Sequence, residues 1–340
     1  MQGIKQKPLF IFGYPRSGTT LLWALLNAHS KINLTLEPEL IRGMLFAGLK
    51  FSDIVDRKTY KELLEKMKGL GVTARHLSSL TKHKLSDFVG SSEDMSFKEI
   101  YEFLLPKPHN AEVWGEKSLG NIFYISKLHK IYPNAVFVHI IRDPRATLLS
   151  NYRKRIFASK PYEPIFDMRS VRFFAQGALL WKNWLAAVER ARRAVGNASI
   201  IQFRYRDIVS EPKKYLRKIC DAVGVDFEPE MLDAAKRKKM SKIKSEFAYA
   251  HQNIARPINP GRAVANRELP GWASYIVEKY TAEEIEKYGF SKSENQINFN
   301  EKLRIKLQLL IYNRKIQSEV VRQISIRNYA YNSASLQKFL

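Results

Sequence analysis

Two kinds of pattern alternate along the chain. Apolar runs at Pro8–Phe12 (PLFIF) and Ala135–Ile141 (AVFVHII) read as buried parallel strands, Ile32–Leu36 (INLTL), which alternates and is β-rich, as a second strand, and Ser199–Tyr205 (SIIQFRY) as another. Helical spacing fills the intervals. Gly18–His29 (GTTLLWALLNAH) sets Leu21, Leu22, Leu25 and Leu26 on one stripe. LGNIFYISKLHKIYP reads as a helix that stops at Pro133. Asp143 and Pro144 suit the N-cap and first position of a helix through ATLLSNYRKR. Further helices run from Phe173 to Val195, ended by Gly196, and from Ser210 to Val223, ended by Gly224. The strand–loop–helix–strand opening predicts the α/β class: a P-loop-like, doubly wound parallel sheet flanked by helices.

Two stretches depart from this pattern. From Glu39 to Glu112 the chain is lysine-rich, with short amphipathic pieces such as TYKELLEKMKGLG and SFKEIYEFLLP. It reads as a helical insertion or lid at about 39–112. From Asn295 onward a basic helical pattern forms a tail. The expected organisation is an α/β domain over 1–294 and a basic helical tail over 295–340. That tail is suited to pack on the domain, join a dimer or rest on an acidic surface.

Charge narrows the partners. The 340 residues carry 57 Lys and Arg against 33 Asp and Glu, a net charge of +24, which attracts polyanions. Zinc-finger spacing and RNA-recognition signatures are absent from the sequence, so nucleic acid is not the expected partner. Cys220 is the single cysteine, which excludes a disulfide scaffold or a cysteine zinc site, and its helical spacing with Leu216, Ile219 and Val223 makes it a core residue. No apolar run reaches membrane-spanning length, and the first one is too short for a signal-peptide core. A cytoplasmic location is expected.

Gly13-Tyr14-Pro15-Arg16-Ser17-Gly18-Thr19-Thr20 carries the chemistry. A strand, a GxxxxG turn and a helix start aim backbone N–H groups and the positive end of a helix at an oxyanion. A nucleoside-triphosphatase loop needs lysine after the second glycine; here Thr19 stands there and the positive charge comes earlier, as Arg16. ATP chemistry is therefore disfavoured.

YPRSGTT resembles the 5′-phosphosulfate loop of sulfotransferases that use 3′-phosphoadenosine-5′-phosphosulfate (PAPS). VHIIRDPRATLLS is similar to the family's 3′-phosphate motif. The resemblance, strongest to the tyrosylprotein and bacterial branch, covers roughly residues 8–38 and 113–290. It implies PAPS as sulfuryl donor, held by Arg16, Ser17, Gly18, Thr19 and Thr20 and by Arg142 and Ser150. Tyr205, in FRYRDIVSEP, would sit near the nucleotide. Arg256, in QNIARPINPGR, matches a family lysine in a segment that closes over it. Lys117, in WGEKSLGN, matches a lysine that reaches the active site. Independently, Arg142 ends a central strand, where open α/β sheets bind ligands, and arginine suits a phosphate dianion.

Sulfuryl transfer to a hydroxyl needs a base. Glu37 follows INLTL directly, emerges at the same sheet edge as the loop, and matches the base of the tyrosylprotein branch. Glu39, Glu116 and His139 are its rivals, His139 reading better as a core histidine. Arg16 and Lys117 would neutralise charge on the bridging oxygen during in-line transfer, and no metal is expected. The acceptor hydroxyl stays open among glycan, lipid, peptide tyrosine and small metabolite. The competing readings are a P-loop small-molecule kinase and a non-enzymatic polyanion-binding protein.

Overall fold

The apolar runs assemble into one parallel sheet. A computed structural model describes residues 6–69, 94–105, 111–156, 164–196, 199–236, 257–258, 269–291 and 297–327. The strands are β1 (Lys7–Phe12), β2 (Ile32–Leu36), β5 (Val113–Lys117), β6 (Val136–Ile141) and β7 (Ile200–Arg204), ordered β2-β5-β1-β6-β7 with every neighbouring pair parallel. Thus β1 is central, and all five strands deliver their carboxyl ends to one edge. Leu9–Phe12 are fully buried, as a strand covered on both faces requires.

β5 lies outside the strands expected from the apolar pattern. Its sequence VWGEK is short and ends in two charges, yet all five residues are buried. Gly115 lets it run close against β1: φ is 149°, and a Cβ there would stand 2.0 Å from the Leu9 carbonyl oxygen.

Helices cover both faces. On one face α1 (Thr19–Leu26) and α9 (Pro212–Val223) pack Leu22, Trp23, Leu25, Leu216, Ile219 and Cys220 against β1, β2, β5 and β6. Cys220 is fully buried, and burial pushes its thiol up to about 11, so it is a core residue as expected. The other face holds α5 (Ile125–Ile131), α6 (Pro144–Ile156), α7 (Met168–Val195) and α10 (Gly271–Lys287).

Several boundaries shift from expectation. α1 starts at Thr19, because Gly18 adopts the left-handed region, and it ends at Leu26. α7 begins five residues early, at Met168, where the Asp167 side chain accepts the Ser170 N–H. Tyr205 opens a separate short helix, α8 (Tyr205–Ser210), so α9 begins at Pro212 rather than Ser210.

The stretch after Glu39 supplies the crossover that two adjacent parallel strands, β2 and β5, require. It holds α2 (Leu40–Phe46), α3 (Arg57–Lys68) and α4 (Phe97–Leu104), but also a two-stranded antiparallel ribbon of β3 (Ile54–Val55) and β4 (Met95–Ser96). Leu40, Met44, Leu63, Ile100 and Tyr101 join the larger core. Ser96 and Glu99 form a capping box that starts α4. The tail contains α11 (Phe299–Arg327), which docks on α7; Ile305, Leu309, Ile316 and Val320 enter the same core.

Candidate active site

The carboxyl edge carries two clusters, one on each side of β1. The loop Gly13–Gly18 leaves β1 between them. Its backbone turns through Arg16 at φ 73° and Gly18 at φ 101°. Glycine is needed at the second position, since a Cβ there would also lie 2.3 Å from the Tyr205 ring. No side chain caps the N-terminus of α1, which leaves its first N–H groups directed at the loop. Ser17 is fully buried, and its Oγ has no hydrogen-bond partner among the described residues. A buried hydroxyl left this way fits a loop shaped around an anion. Thr19 is buried and Thr20 half-buried beside it.

On the β6–β7 side four of the expected residues meet. Arg16 Nε donates to Ser150 Oγ at 3.2 Å, and Arg142 Nη1 donates to the Arg16 carbonyl oxygen at 3.1 Å. The Arg142 guanidinium lies 4.6 Å from the centre of the Tyr205 ring. Burial, and next to it the charge of Arg16, lower the pKa of Arg142, while Tyr205 and Asp143 act in the other direction. Asn151 Nδ2, one residue beyond Ser150, fastens α6 to the loop through the Pro15 carbonyl oxygen at 3.2 Å. The carboxylate next in sequence to Arg142 is engaged elsewhere. Both oxygens of Asp143 accept from the fully buried Arg145, at 3.0 and 2.6 Å, and Arg145 also reaches Glu278 on α10 at 2.5 Å. Neither Asn151 nor this fork stood out in the sequence; the available signal was the charge alternation of RDPR.

On the β2–β5 side Glu37 and Lys117 are joined. Register places Leu36 beside Lys117, the Glu37 N–H donates to the Lys117 carbonyl oxygen at 2.8 Å, and the Lys117 ammonium binds Glu37 Oε1. The Lys117 side chain is buried, whereas Glu37 is 23% exposed, so the carboxylate is the member that a solvent-borne molecule can reach. Glu37 and Glu39 have φ of 47° and 50°; with Arg16 they are the only non-glycine residues of positive φ among those described. Strain gathered at one edge is a mark of a functional site.

The rival bases separate clearly. His139 is buried, stacked 5.6 Å from Phe12, and hydrogen-bonded through Nδ1 to Gln202 at 3.0 Å; burial holds its pKa down at about 4. Glu116, the residue before Lys117 in β5, is fully buried. It accepts from the Tyr101 hydroxyl at 2.8 Å, from Ser118 Oγ at 3.0 Å and from Asn121 Nδ2. Burial pushes it up to about 7, the charge of Glu39 adds to this, and the three donors pull it back. Glu39 occupies the N-cap position of α2 without a side-chain capping bond, and its carboxylate lies near Arg42, at 3.9 Å, and Gly120. Arg256 falls outside the described residues. Among the described residues no three His, Cys, Asp or Glu side chains gather as metal ligands.

A family model described as "Sulfotransferase family" matches residues 8–229. Protein-tyrosine sulfotransferase A of Caenorhabditis elegans is 22% identical over 251 residues, covering 74% of this chain and 58% of that protein. The Drosophila melanogaster protein-tyrosine sulfotransferase is 25% identical over 229 residues, 67% of this chain and 40% of that one. The chain thus spans about half the length of the curated relatives it matches. Its fold is similar to the sulfotransferase domain of the Synechococcus PCC 7002 olefin synthase, with a TM-score of 0.56 at 22% identity, covering 84% of this chain and 96% of that one.

Proposed function

This chain belongs to the sulfotransferase family, and on that premise we propose that it moves a sulfuryl group from PAPS to an acceptor hydroxyl. The observation that carries the reading is the meeting of Glu37 and Lys117 beside a phosphate loop in which Thr19 stands where the nucleoside-triphosphatase lysine would be.

In this reading the loop N–H groups with Arg16, Ser17, Gly18, Thr19 and Thr20 hold the 5′-phosphosulfate. Arg142 and Ser150 hold the 3′-phosphate, and Tyr205 borders the nucleotide. The unsatisfied Ser17 hydroxyl and the clustered guanidiniums support this fit. PAPS supplies an activated sulfuryl group and a stable leaving group. Glu37, ion-paired with Lys117, accepts the acceptor's proton as the hydroxyl attacks. Lys117 and Arg16 face the charge that grows on the leaving side. The acceptor approaches from the half-exposed side of Glu37. Peptide tyrosine is the first acceptor to test, being what the two relatives above are named for.

Thermal shift with adenosine 3′,5′-bisphosphate and with ATP tests the donor assignment. Strong stabilisation by the bisphosphate and weak stabilisation by ATP are expected; the reverse order would support the kinase reading. Labelled PAPS incubated with peptide, glycan, lipid and small-molecule hydroxyls then identifies the acceptor by mass spectrometry.

A further inference from the structure

α11 presents two apolar faces, and among the described residues the fold uses only one. Ile305, Leu309, Ile316 and Val320, none more than 6% exposed, dock it on the core. On the outward side stand Phe299 at 77% exposed, Leu303 at 46%, Leu307 at 51%, Leu310 at 74% and Ile311 at 71%. At about 100° per residue these five occupy an arc roughly 120° wide, centred opposite Ile305. Among the described residues the other exposed large apolar side chains are Ile54 and Ile165, the latter next to Phe166, whose ring lies 5.5 Å from the Arg304 guanidinium of α11. A contiguous exposed stripe of this kind marks an interaction surface.

Its borders indicate the partner. Exposed Lys302 and Lys306 run along one side of the stripe and exposed Arg304 and Lys315 along the other, with Arg314 within it. The single acidic residue between Phe299 and Ser318 is Glu301, which is occupied at the helix start by the Asn298 N–H, 3.2 Å away. Apolar side chains bracketed by cations are the pattern of a helix lying in the headgroup region of an anionic bilayer. A second copy of the chain would bring its own basic borders and a net charge of +24 against the same face. No helix among the described residues is long and apolar enough to cross a membrane, so the contact would be peripheral.

We propose that the outer face of α11 docks the protein on anionic lipid surfaces. The proposal does not depend on the sulfuryl-transfer reading.

Co-sedimentation of the full chain with phosphatidylcholine vesicles, with and without phosphatidylserine, tests it. Binding is expected only with phosphatidylserine, and it should weaken as salt rises. The double variant Leu307→Asp/Leu310→Asp changes exposed positions alone, so it should keep its melting temperature while losing at least about tenfold in vesicle affinity. Lys302→Glu/Lys306→Glu should lose a similar factor. Three results would overturn the proposal. One is no binding by the unmodified chain. A second is a loss in the charge variant alone, which would mean non-specific adsorption of a basic protein. The third is a dimer-to-monomer change in the leucine variant with vesicle binding intact, which would assign the stripe to a second copy.

Discussion

The two flanks of β1 are built from opposite materials. Toward β6 and β7 stand two guanidiniums whose contacts include a carbonyl oxygen, a hydroxyl and an aromatic ring, while Asp143 is taken up by Arg145. Toward β2 and β5 stand three carboxylates: Glu37 paired with Lys117, Glu39 near Arg42, and Glu116 held by Tyr101, Ser118 and Asn121. The first flank is suited to hold a fixed anion, because cations stacked on neutral groups gain when a phosphate arrives. The second is suited to handle a proton, because its ion pair can be rearranged. On the proposed function, holding and reacting divide across one strand, and variants on the two sides should fail in different ways.

The largest separation is expected from Glu37→Gln. Turnover with the best acceptor should fall by roughly 10²–10⁴ in kcat, while affinity for adenosine 3′,5′-bisphosphate stays similar or tightens slightly. A variant with nearly full kcat would end the role of Glu37 as base and pass it to Glu39, the reachable carboxylate next to it. Glu116 gives the next effect, in stability. Its folded pKa, about 7, lies above the unfolded value of 4.5, so its contribution is complete below that unfolded value and is lost as pH rises through about 7. The whole swing is about 3 kcal/mol. His139 works in the opposite sense: its pKa of about 4 adds stability above 6.5 that is lost as pH falls. The informative quantity is therefore the difference between the parent and Glu116→Gln in urea unfolding. The parent should lose ground to the variant between pH 5 and pH 8, by about 2–3 kcal/mol; parallel curves would refute a protonated Glu116.

On the other flank, Arg142→Ala should weaken bisphosphate binding by about 1.5–3 kcal/mol, roughly 10–150-fold by calorimetry, with the fold intact. An unchanged Kd would remove Arg142 from the site. The smallest expected effect is none: a magnesium chelator should leave turnover unchanged, and loss of activity restored by magnesium alone would contradict a division of labour that rests on side chains.

What the sequence disclosed follows from how each element is buried. β1 and β6 were legible because strands covered by helices read as apolar runs, and β2 because INLTL alternates and is rich in β-forming residues. β5 was hidden because Glu116 and Lys117, half of its side-chain-bearing residues, are charged and belong to the polar network at the carboxyl edge, which erased the strand's own signature. Glu37 could be placed at the correct edge because it follows a recognisable strand. Its bond to Lys117 could not, since that depends on the register of an unseen neighbour. The positive φ of Arg16, Glu37 and Glu39 is likewise imposed by tertiary packing and leaves no trace in residue type. The particular roles of Ser150 and Tyr205 came from family resemblance; periodicity supplied only their positions. The start of α7 was legible in principle, through Asp167 as N-cap.

The strand order also constrains when the site can exist. β1 is made well before its two partners: Lys7 pairs with Val113, and Leu9 with Val136. Each pairing must close a long loop before any ladder forms, which is the costly step of a high-contact-order topology. A nascent chain that has emerged only as far as Leu104 would own the Gly13–Gly18 loop and Glu37, yet neither flank would be assembled. Nucleotide could then give no early help to folding, and protection of the β1 amides from hydrogen exchange should appear only once β6 has docked.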